Sequence, residues 1–418
     1  MQIQTILNFL IKYSSFVYGK CRLVGEPDDC TLEIEILPRK NGRPECSICG
    51  RKGSVYDHQP RPRRFDFVPF WGIAVVFVYI MRRVDCSRCG VKMERVPWAL
   101  GKSPTTNTYN WFLSQWAKML SWSDTARMFK TSWSTVFNAV EMAVEWGRLH
   151  VKHEDVTAIG VDEIAWQRRH KYLTVVYQID AGVRRLLWVG ENRTAKTLLK
   201  FFRWFGKERT EQLKFVASDM WKAYLKVIAF KAGHALHVLD RFHIMANMNK
   251  AIDEVRAADA KKLHSENKEP ILKNSRWLFL KRPSNLTVWQ DAKLADLLQY
   301  NLKSIRAYIL KEDFQQFWKY LHPGWAEKFL DRWCTKTMRS KIEPMKKVAR
   351  TIRKHKPLIL NWFKARGEIN QGAVEGMNNK SKLTIRKAYG FRSFRTAEIA
   401  LYHTLGKLPE PKFTHRFW

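Results

Sequence analysis

The feature that most constrains the fold is an acid set inside an apolar, strand-like run: Ala158-Ile159-Gly160-Val161-Asp162-Glu163-Ile164-Ala165-Trp166. A second run, Lys171 to Asp180, follows at once and is rich in β-branched and aromatic residues. The two read as paired strands with a short connection. A carboxylate near the middle of a buried strand is costly unless a metal ion, a basic partner or a raised pKa relieves it. The rest of the chain can be searched for what sits beside Asp162.

Downstream, the turn Ala181-Gly182 leads into a third strand, Arg184 to Gly190, and Thr194 to Phe205 is an amphipathic helix. Leu213 to Asp219 is a fourth strand ending in an acid, Trp221 to Ala232 a helix, and Ala235 to Asp240 a fifth strand. Three meandering strands followed by helix–strand alternation predict a mixed five-stranded α/β sheet with helices on its faces. If strands one and four are neighbours, Asp162 and Asp219 reach one spot. Two carboxylates that close call for a divalent metal or a shared proton. Mg²⁺ suits an all-oxygen site that leaves places for phosphate and water. Asp240, in Asp240-Arg241-Phe242-His243, is a third strand-end acid. With His243 it is expected behind the metal ligands; a salt bridge to Arg241 or a helix cap is the plainer reading.

From Ile244 on, the pattern is helical and basic, with many Trp, and is punctuated by Pro283, Pro323, Pro344 and Pro357. Residues 246–367 read as an all-helical insertion that covers substrate, or as a separate packing domain. In residues 368–418, Gly372 marks a turn and a helix runs from Ala373 to about Ala388. Glu375, Asn378, Asn379 and Lys382 share one face of it by i+3, i+4 and i+7 spacing. One acid, two amides and a lysine suit metal and phosphate, with Asn378 and Asn379 supporting the acid; an ordinary exposed helix is the alternative. The sheet residues, 153–245, and this helix together form the expected core.

The N-terminal third reads differently. Residues 1–40 look like a lead-in helix and a strand, Thr31 to Leu37. Residues 41–100 carry Cys46-Ser47-Ile48-Cys49-Gly50 and Cys86-Ser87-Arg88-Cys89-Gly90, with 36 residues between the pairs. Four thiolates on one Zn²⁺ make a closed structural site, and the Gly after each pair fits a knuckle turn. Redox or unpaired cysteines are the alternative. The knuckles are basic, with Arg63 and Arg64 among the residues expected at DNA. Residues 101–152 turn helical: Thr108 to Leu120, then Ser123 to Phe129, a turn at Lys130-Thr131-Ser132, and a helix from Trp133. Ser or Thr caps each start. Ala126, a short turn and Val136 match a helix-turn-helix, with Ser132, Trp133, Ser134 and Thr135 near the groove.

The chain has 418 residues, enough for two to four domains, and 45% are apolar. Its 74 Lys+Arg against 39 Asp+Glu leave +35, dispersed along the sequence, which fits a polyanionic partner such as nucleic acid. The paired Cys-x-x-Cys spacing favours metal over disulfides and a reducing cytoplasm. The first residues lack the basic start and cleavage site of a signal peptide. The longest apolar run, Phe67 to Met81, is broken by Pro69 and Gly72 and is too short to span a bilayer. No membrane partner is expected.

Several strings together resemble the ISL3 family of bacterial insertion-sequence transposases. They are Gly160-Val161-Asp162-Glu163, Asp219-Met220-Trp221-Lys222-Ala223-Tyr224, Asp240-Arg241-Phe242-His243, Asn378-Asn379-Lys380, Ala388-Tyr389-Gly390-Phe391-Arg392 and Leu405-Gly406-Lys407-Leu408-Pro409. The resemblance runs from about Cys46 to the end and includes the zinc finger and the helix-turn-helix. It implies an RNase H-like core whose catalytic triad is Asp162, Asp219 and Glu375, holding two Mg²⁺ (or Mn²⁺) ions besides the structural Zn²⁺. It implies cleavage at the terminal inverted repeats and transfer of the freed 3′-OH to target DNA. Lys382 and Arg386 are expected to clamp phosphate. Double-stranded DNA, a dimer or larger synaptic assembly, and a nucleoid-associated bacterial setting follow, with no small-molecule substrate. A regulator that has lost catalysis, or a nuclease on the same core, are the competing expectations.

Overall fold

The computed structural model describes residues 2–167, 171–365 and 372–412. Their contacts divide them into two units, Met1–Val151 with Thr384–Trp418, and Lys152–Leu383.

In the first unit, α1 (Ile3–Leu10) precedes an antiparallel pair, β1 (Phe16–Val24) and β2 (Thr31–Pro38). Next come β3 (Ser54–His58), β4 (Arg63–Phe70), β5 (Ile73–Tyr79), β6 (Arg82–Cys86) and β7 (Gly90–Met93). They form a four-stranded sheet in the order β1-β2-β5-β4 and a three-stranded sheet β3-β6-β7. Alternate residues of β2, namely Leu32, Ile34 and Ile36, are buried with Phe65, Val75, Phe77 and Trp98. Trp71 and Gly72 join β4 to β5 with φ of 50° and 82°. Positive φ at both centres is what a tight hairpin turn needs to match strand twist.

Residues 1–40 are therefore not a separate lead-in. β2 pairs in parallel with β5, from Thr31–Ala74 to Glu35–Val78, and shares one core with the residues after the first knuckle. Three helices follow: α2 (Asn107–Met119), α3 (Trp122–Met128) and α4 (Trp133–His150). The hydroxyls of Thr106, Ser121 and Ser132 accept from backbone N–H groups of the first turns and cap them. Ala126 and Val136, either side of the turn at Lys130, are both buried.

The second unit is built on β8 (Ala158–Gln167), β9 (Lys171–Gln178), β10 (Arg185–Glu191), β11 (Phe215–Ser218) and β12 (Leu236–Leu239). Between them lie α5 (Ala195–Phe205), α6 (Lys207–Glu211) and α7 (Lys222–Lys231). The sheet order is β10-β9-β8-β11-β12. β9 is antiparallel to both neighbours, and β8, β11 and β12 are parallel. Ile159 and Val161 pack with α5 and α7 through Leu198, Phe201, Tyr224 and Val227.

The helical region is α8 (Arg241–Ser265), α9 (Arg276–Leu280), α10 (Val288–Leu298), α11 (Lys303–Gln315), α12 (Pro323–Arg339), α13 (Glu343–Lys354) and α14 (Lys356–Lys364). α8 runs unbroken through residue 245, so a continuous helix, and not a linker, carries the sheet into the helical region. After α15 (Ala373–Lys387), α16 (Phe394–Leu405) completes the first unit. There it meets α4 through Arg148–Glu398 and Arg395–Glu145 ion pairs. Residues 384–418 were expected with the catalytic core; the described ones among them, 384–412, fall by their contacts in the N-terminal unit.

Candidate active site

The sheet register builds the site. Ser218 lies opposite Val161 on one side and Leu239 on the other. The next residue along each is an acid, so Asp162, midway along β8, stands level with Asp219 and Asp240, which directly follow the last residues of β11 and β12. Ligands of open α/β sheets bind outside the carboxyl ends of such parallel strands. Alternation within β8 turns Asp162 away from α5 and α7 and toward α15. α15 approaches closely because Gly160 has no side chain: a Cβ there would lie 2.4 Å from Val374 Cγ2.

Asp162 is only 4% exposed and is fully engaged. Its Oδ1 accepts from the Glu163 amide at 2.7 Å. Its Oδ2 accepts from the Asn378 side-chain amide and lies 3.6 Å from His243 Nε2. Asn378 is buried, and its Oδ1 accepts from the Tyr177 hydroxyl at 2.9 Å. That hydroxyl also meets Ser381 at 3.0 Å. A buried polar chain thus ties β9, β8 and α15 together, every member having a partner.

His243 links the acids that the sheet separates. Its Nε2 is 3.9 Å from Asp240 Oδ2 as well as near Asp162. The hydrogen bond to Asp162, opposed by burial and helped by the charges of Asp162, Asp240 and Asp219, pushes its pKa up to about 9. It is a cation at neutral pH. Burial raises the pKa of Asp219, opposed by the Trp221 amide, which donates to its Oδ1 at 3.0 Å. Burial raises Asp240 as well, and the Glu375 charge adds to the effect. The Asp240 carboxylate also caps α8 by accepting from the Phe242 amide at 2.8 Å. The cap expected as its plainer role is present, and the carboxylate faces the site besides.

Glu375 itself is exposed, one turn before Asn378 on α15. The face expected to unite Glu375, Asn378, Asn379 and Lys382 is divided: Asn378 turns inward, while Glu375, Asn379 and Lys382 are exposed. Arg386 is exposed too, beyond the boundary of the second unit. Glu163 belongs to the site although it was not singled out. It pairs with Arg193 at 2.6 Å, and burial with the Asp219 charge raises its pKa. The Arg193 guanidinium sits 4.6 Å from the ring centroids of both Tyr172 and Trp221. Among the described residues, the carboxylates do not close on a single point. The one group of three or more potential ligands within 4.8 Å of one another is Cys46, Cys49, Cys86 and Cys89. The acids nonetheless offer hard oxygen donors with one histidine cation among them, the donor chemistry of Mg²⁺ or Mn²⁺.

The four cysteine sulfurs lie at the mouth of the β3-β6-β7 sheet, with Cys49 and Cys86 Sγ 3.5 Å apart. That spacing and an all-sulfur donor set fit a structural zinc ion. The surrounding arginines are not all free for DNA. Arg63 donates to the Gly101 and Ser103 carbonyls at 3.1 and 2.9 Å and lies over Phe65. Its guanidinium fastens a loop to β4. Arg64 pairs with Glu33 on β2 and is half exposed. Arg82 is buried against Glu94. In the α3–α4 pair, Ser132, Trp133 and Ser134 are exposed and Thr135 half-buried; Trp133 stacks on Phe137 at 5.5 Å.

Residues 159–401 match the ISL3-type family model of DDE transposases, described as a transposase. The transposase for insertion sequence element IS1001 of Bordetella parapertussis is 30% identical over 353 residues, 83% of this chain and 85% of that one. The transposase for insertion sequence element IS1557 of Mycobacterium tuberculosis is 29% identical over 392 residues, 88% of this chain and 86% of that one.

Proposed function

This chain belongs to the ISL3 family of DDE transposases, and from that premise we propose that it cuts the ends of its own insertion sequence and joins them to target DNA. The observation that carries the reading is the level row of Asp162, Asp219 and Asp240, with the helix of Glu375 packed against its first strand. We read the five-stranded sheet as an RNase H-like core. Asp162, Asp219 and Glu375 are the proposed ligands of two divalent ions. Bound there, the ions supply Lewis-acid activation of water and of the 3′-OH, and stabilise the leaving oxygen.

The protein's own side chains do the remaining work. Asp162 is held in one orientation by the Glu163 amide and Asn378, so its carboxylate needs no reordering. The Trp221 amide fixes Asp219 in the same way. His243, charged between Asp162 and Asp240, limits the repulsion among the acids and can donate to a phosphate oxygen. Asp240, level with Asp219 at the end of the neighbouring strand, is a further candidate ligand. Lys382 and Arg386, both exposed, are the proposed contacts to the DNA backbone. Asn379 is exposed beside them as a polar contact. The zinc module and the α3–α4 helix-turn-helix, through Ser132, Trp133, Ser134 and Thr135, are the proposed readers of the inverted repeats. Two ends must be held at once, so a dimer or larger assembly is the working form. Among the described residues, no helix is long and apolar enough to cross a membrane.

The test is end cleavage and joining in vitro, with a labelled duplex carrying the element's ends, a target plasmid and Mg²⁺. Wild type is expected to give joined products, and Asp162→Ala and Glu375→Ala none. End-specific binding without cleavage favours a regulator; cleavage without joining favours a nuclease. Activity surviving Glu375→Ala moves the third acid's role to Asp240.

A further inference from the structure

α8 leaves the site and does not stop there. His243, Asn247, Lys250 and Glu254 follow one another at steps of four, three and four residues, so they share one face of this helix. Opposite them runs α13, whose Lys347, Val348, Thr351 and Ile352 form a matching stripe. Between the two helices is a groove of about 370 Å³ lined by residues of both. Its apolar lining includes Ala251 and Ile352, together with Met220, directly after Asp219 in the chain, and Ile244, directly after His243.

We infer that this groove is the track of a DNA strand running to or from the scissile phosphate. The inference rests on the transposase reading, and it assigns α8 and α13 a substrate-binding role. An apolar lining that also carries cations fits sugars and bases together with phosphates. Lys250 and Lys347 are exposed and make no ion pair among the described residues, although acids satisfy many other cations of this region. Asn247 and Thr351 add neutral hydrogen-bonding groups suited to phosphate or sugar oxygens. The seven residues from His243 to Lys250 advance about 10 Å along α8. At about 3.4 Å per phosphate of one strand, Lys250 meets the backbone roughly three nucleotides from the cut. Glu254, four residues further on, places a negative charge at the far end and turns the strand away. A short track ending in an acid distinguishes this groove from a surface that is merely basic.

The experiment uses the full-length protein with Lys250→Gln and Lys347→Gln together. A control of equal charge, Lys196→Gln with Lys200→Gln, lies on exposed positions of α5. Affinity for a duplex that extends both ways past the cleavage point is measured across a salt series. The groove variant is expected to bind about tenfold more weakly near physiological salt, with the log–log salt slope shallower by roughly 1.8, or 0.9 per lost phosphate contact. Duplexes ending at the cleavage point, with either the element arm or the flanking arm removed, identify the strand: the defect disappears when the arm that occupies the groove is missing. An unchanged slope, a loss matched by the α5 control, or a defect equal on all three duplexes overturns the inference. Failure of wild type to bind the ends at all overturns the transposase reading, and the groove assignment with it.

Discussion

Replacing Asn378 by Leu tests whether Asp162 is oriented from α15. Leucine nearly conserves the volume, so overpacking and cavities contribute little. Two hydrogen bonds are lost: the amide's bond to the Asp162 carboxylate, and the bond its carbonyl accepts from Tyr177 at 2.9 Å. A bond to a charged group contributes about 1.5–3 kcal/mol and a neutral one about 1, so the variant should lose about 2.5–4 kcal/mol of stability. Tyr177 keeps Ser381 at 3.0 Å, which holds the loss below the cost of a stranded hydroxyl. Asp162 keeps the Glu163 amide on Oδ1, but nothing fixes Oδ2 except His243 at 3.6 Å. Loss of such an orienting partner costs roughly 10–100-fold in metal affinity or activity. The assay is end cleavage as a function of Mg²⁺ concentration, alongside thermal unfolding and end binding. Half-activation should move to at least tenfold higher Mg²⁺, with end binding unchanged. Tyr177→Phe leaves the Asn378–Asp162 bond in place and should shift half-activation far less. A variant that loses stability yet is activated by Mg²⁺ like wild type would show that Asn378 merely fills space.

Two further outcomes follow from other parts of the chain. Purified protein should carry about one Zn²⁺ per chain; Cys49→Ser should lower that content and expose the β3-β6-β7 sheet to proteolysis, since a structural zinc contributes directly to folding free energy. Protein that folds with no zinc would sink the assignment. The His243 pKa near 9 also makes stability depend on pH in the metal-free protein. Because the folded value is raised above the ordinary 6.5, the stabilisation is complete below pH 6.5 and is lost as pH rises through 9. The side chain is 33% exposed, and solvent screening reduces the contribution to about 1–2 kcal/mol. His243→Gln should flatten that stretch of the curve relative to wild type, and superimposable curves would refute the ion pair.

What the sequence disclosed, and what it hid, divides along the distance of the interactions involved. β8 to β12 lie within a few residues of the expected strands because each is a short apolar run between turn residues. Thr106, Ser121 and Ser132 cap helices for equally local reasons. The four cysteines converge as their spacing suggests. The parallel pairing of β2 with β5 was hidden, because it joins residues some forty positions apart and no turn announces it. Helical spacing grouped Asn378 with Glu375, but the phase of α15 against β8 is set by Val374 meeting Gly160, a contact that spacing does not encode. The charge of Arg63 is visible in the sequence, but the carbonyls of Gly101 and Ser103 that it binds are some forty positions away and no local pattern announces them. Glu163 was overlooked because it lies on the face of β8 opposite Asp162, and only Arg193, from the loop after β10, shows where it points.

The division into units has a consequence for synthesis. The first unit is closed by α16, where Arg395 and Glu398 meet residues of α4 and Leu408 packs on Gly147. Everything from Lys152 to Leu383 is translated between those two faces. At about 5–20 residues per second, the ribosome takes at least roughly ten seconds after making α4 before its partner emerges. During that interval the second unit can complete itself, while one side of α4 stays uncovered. A message broken after the codon for Lys382 would encode every acid proposed for catalysis and still release a chain whose N-terminal unit never closes. Intact catalytic residues alone are therefore a poor guide to whether a shortened copy of the gene is functional.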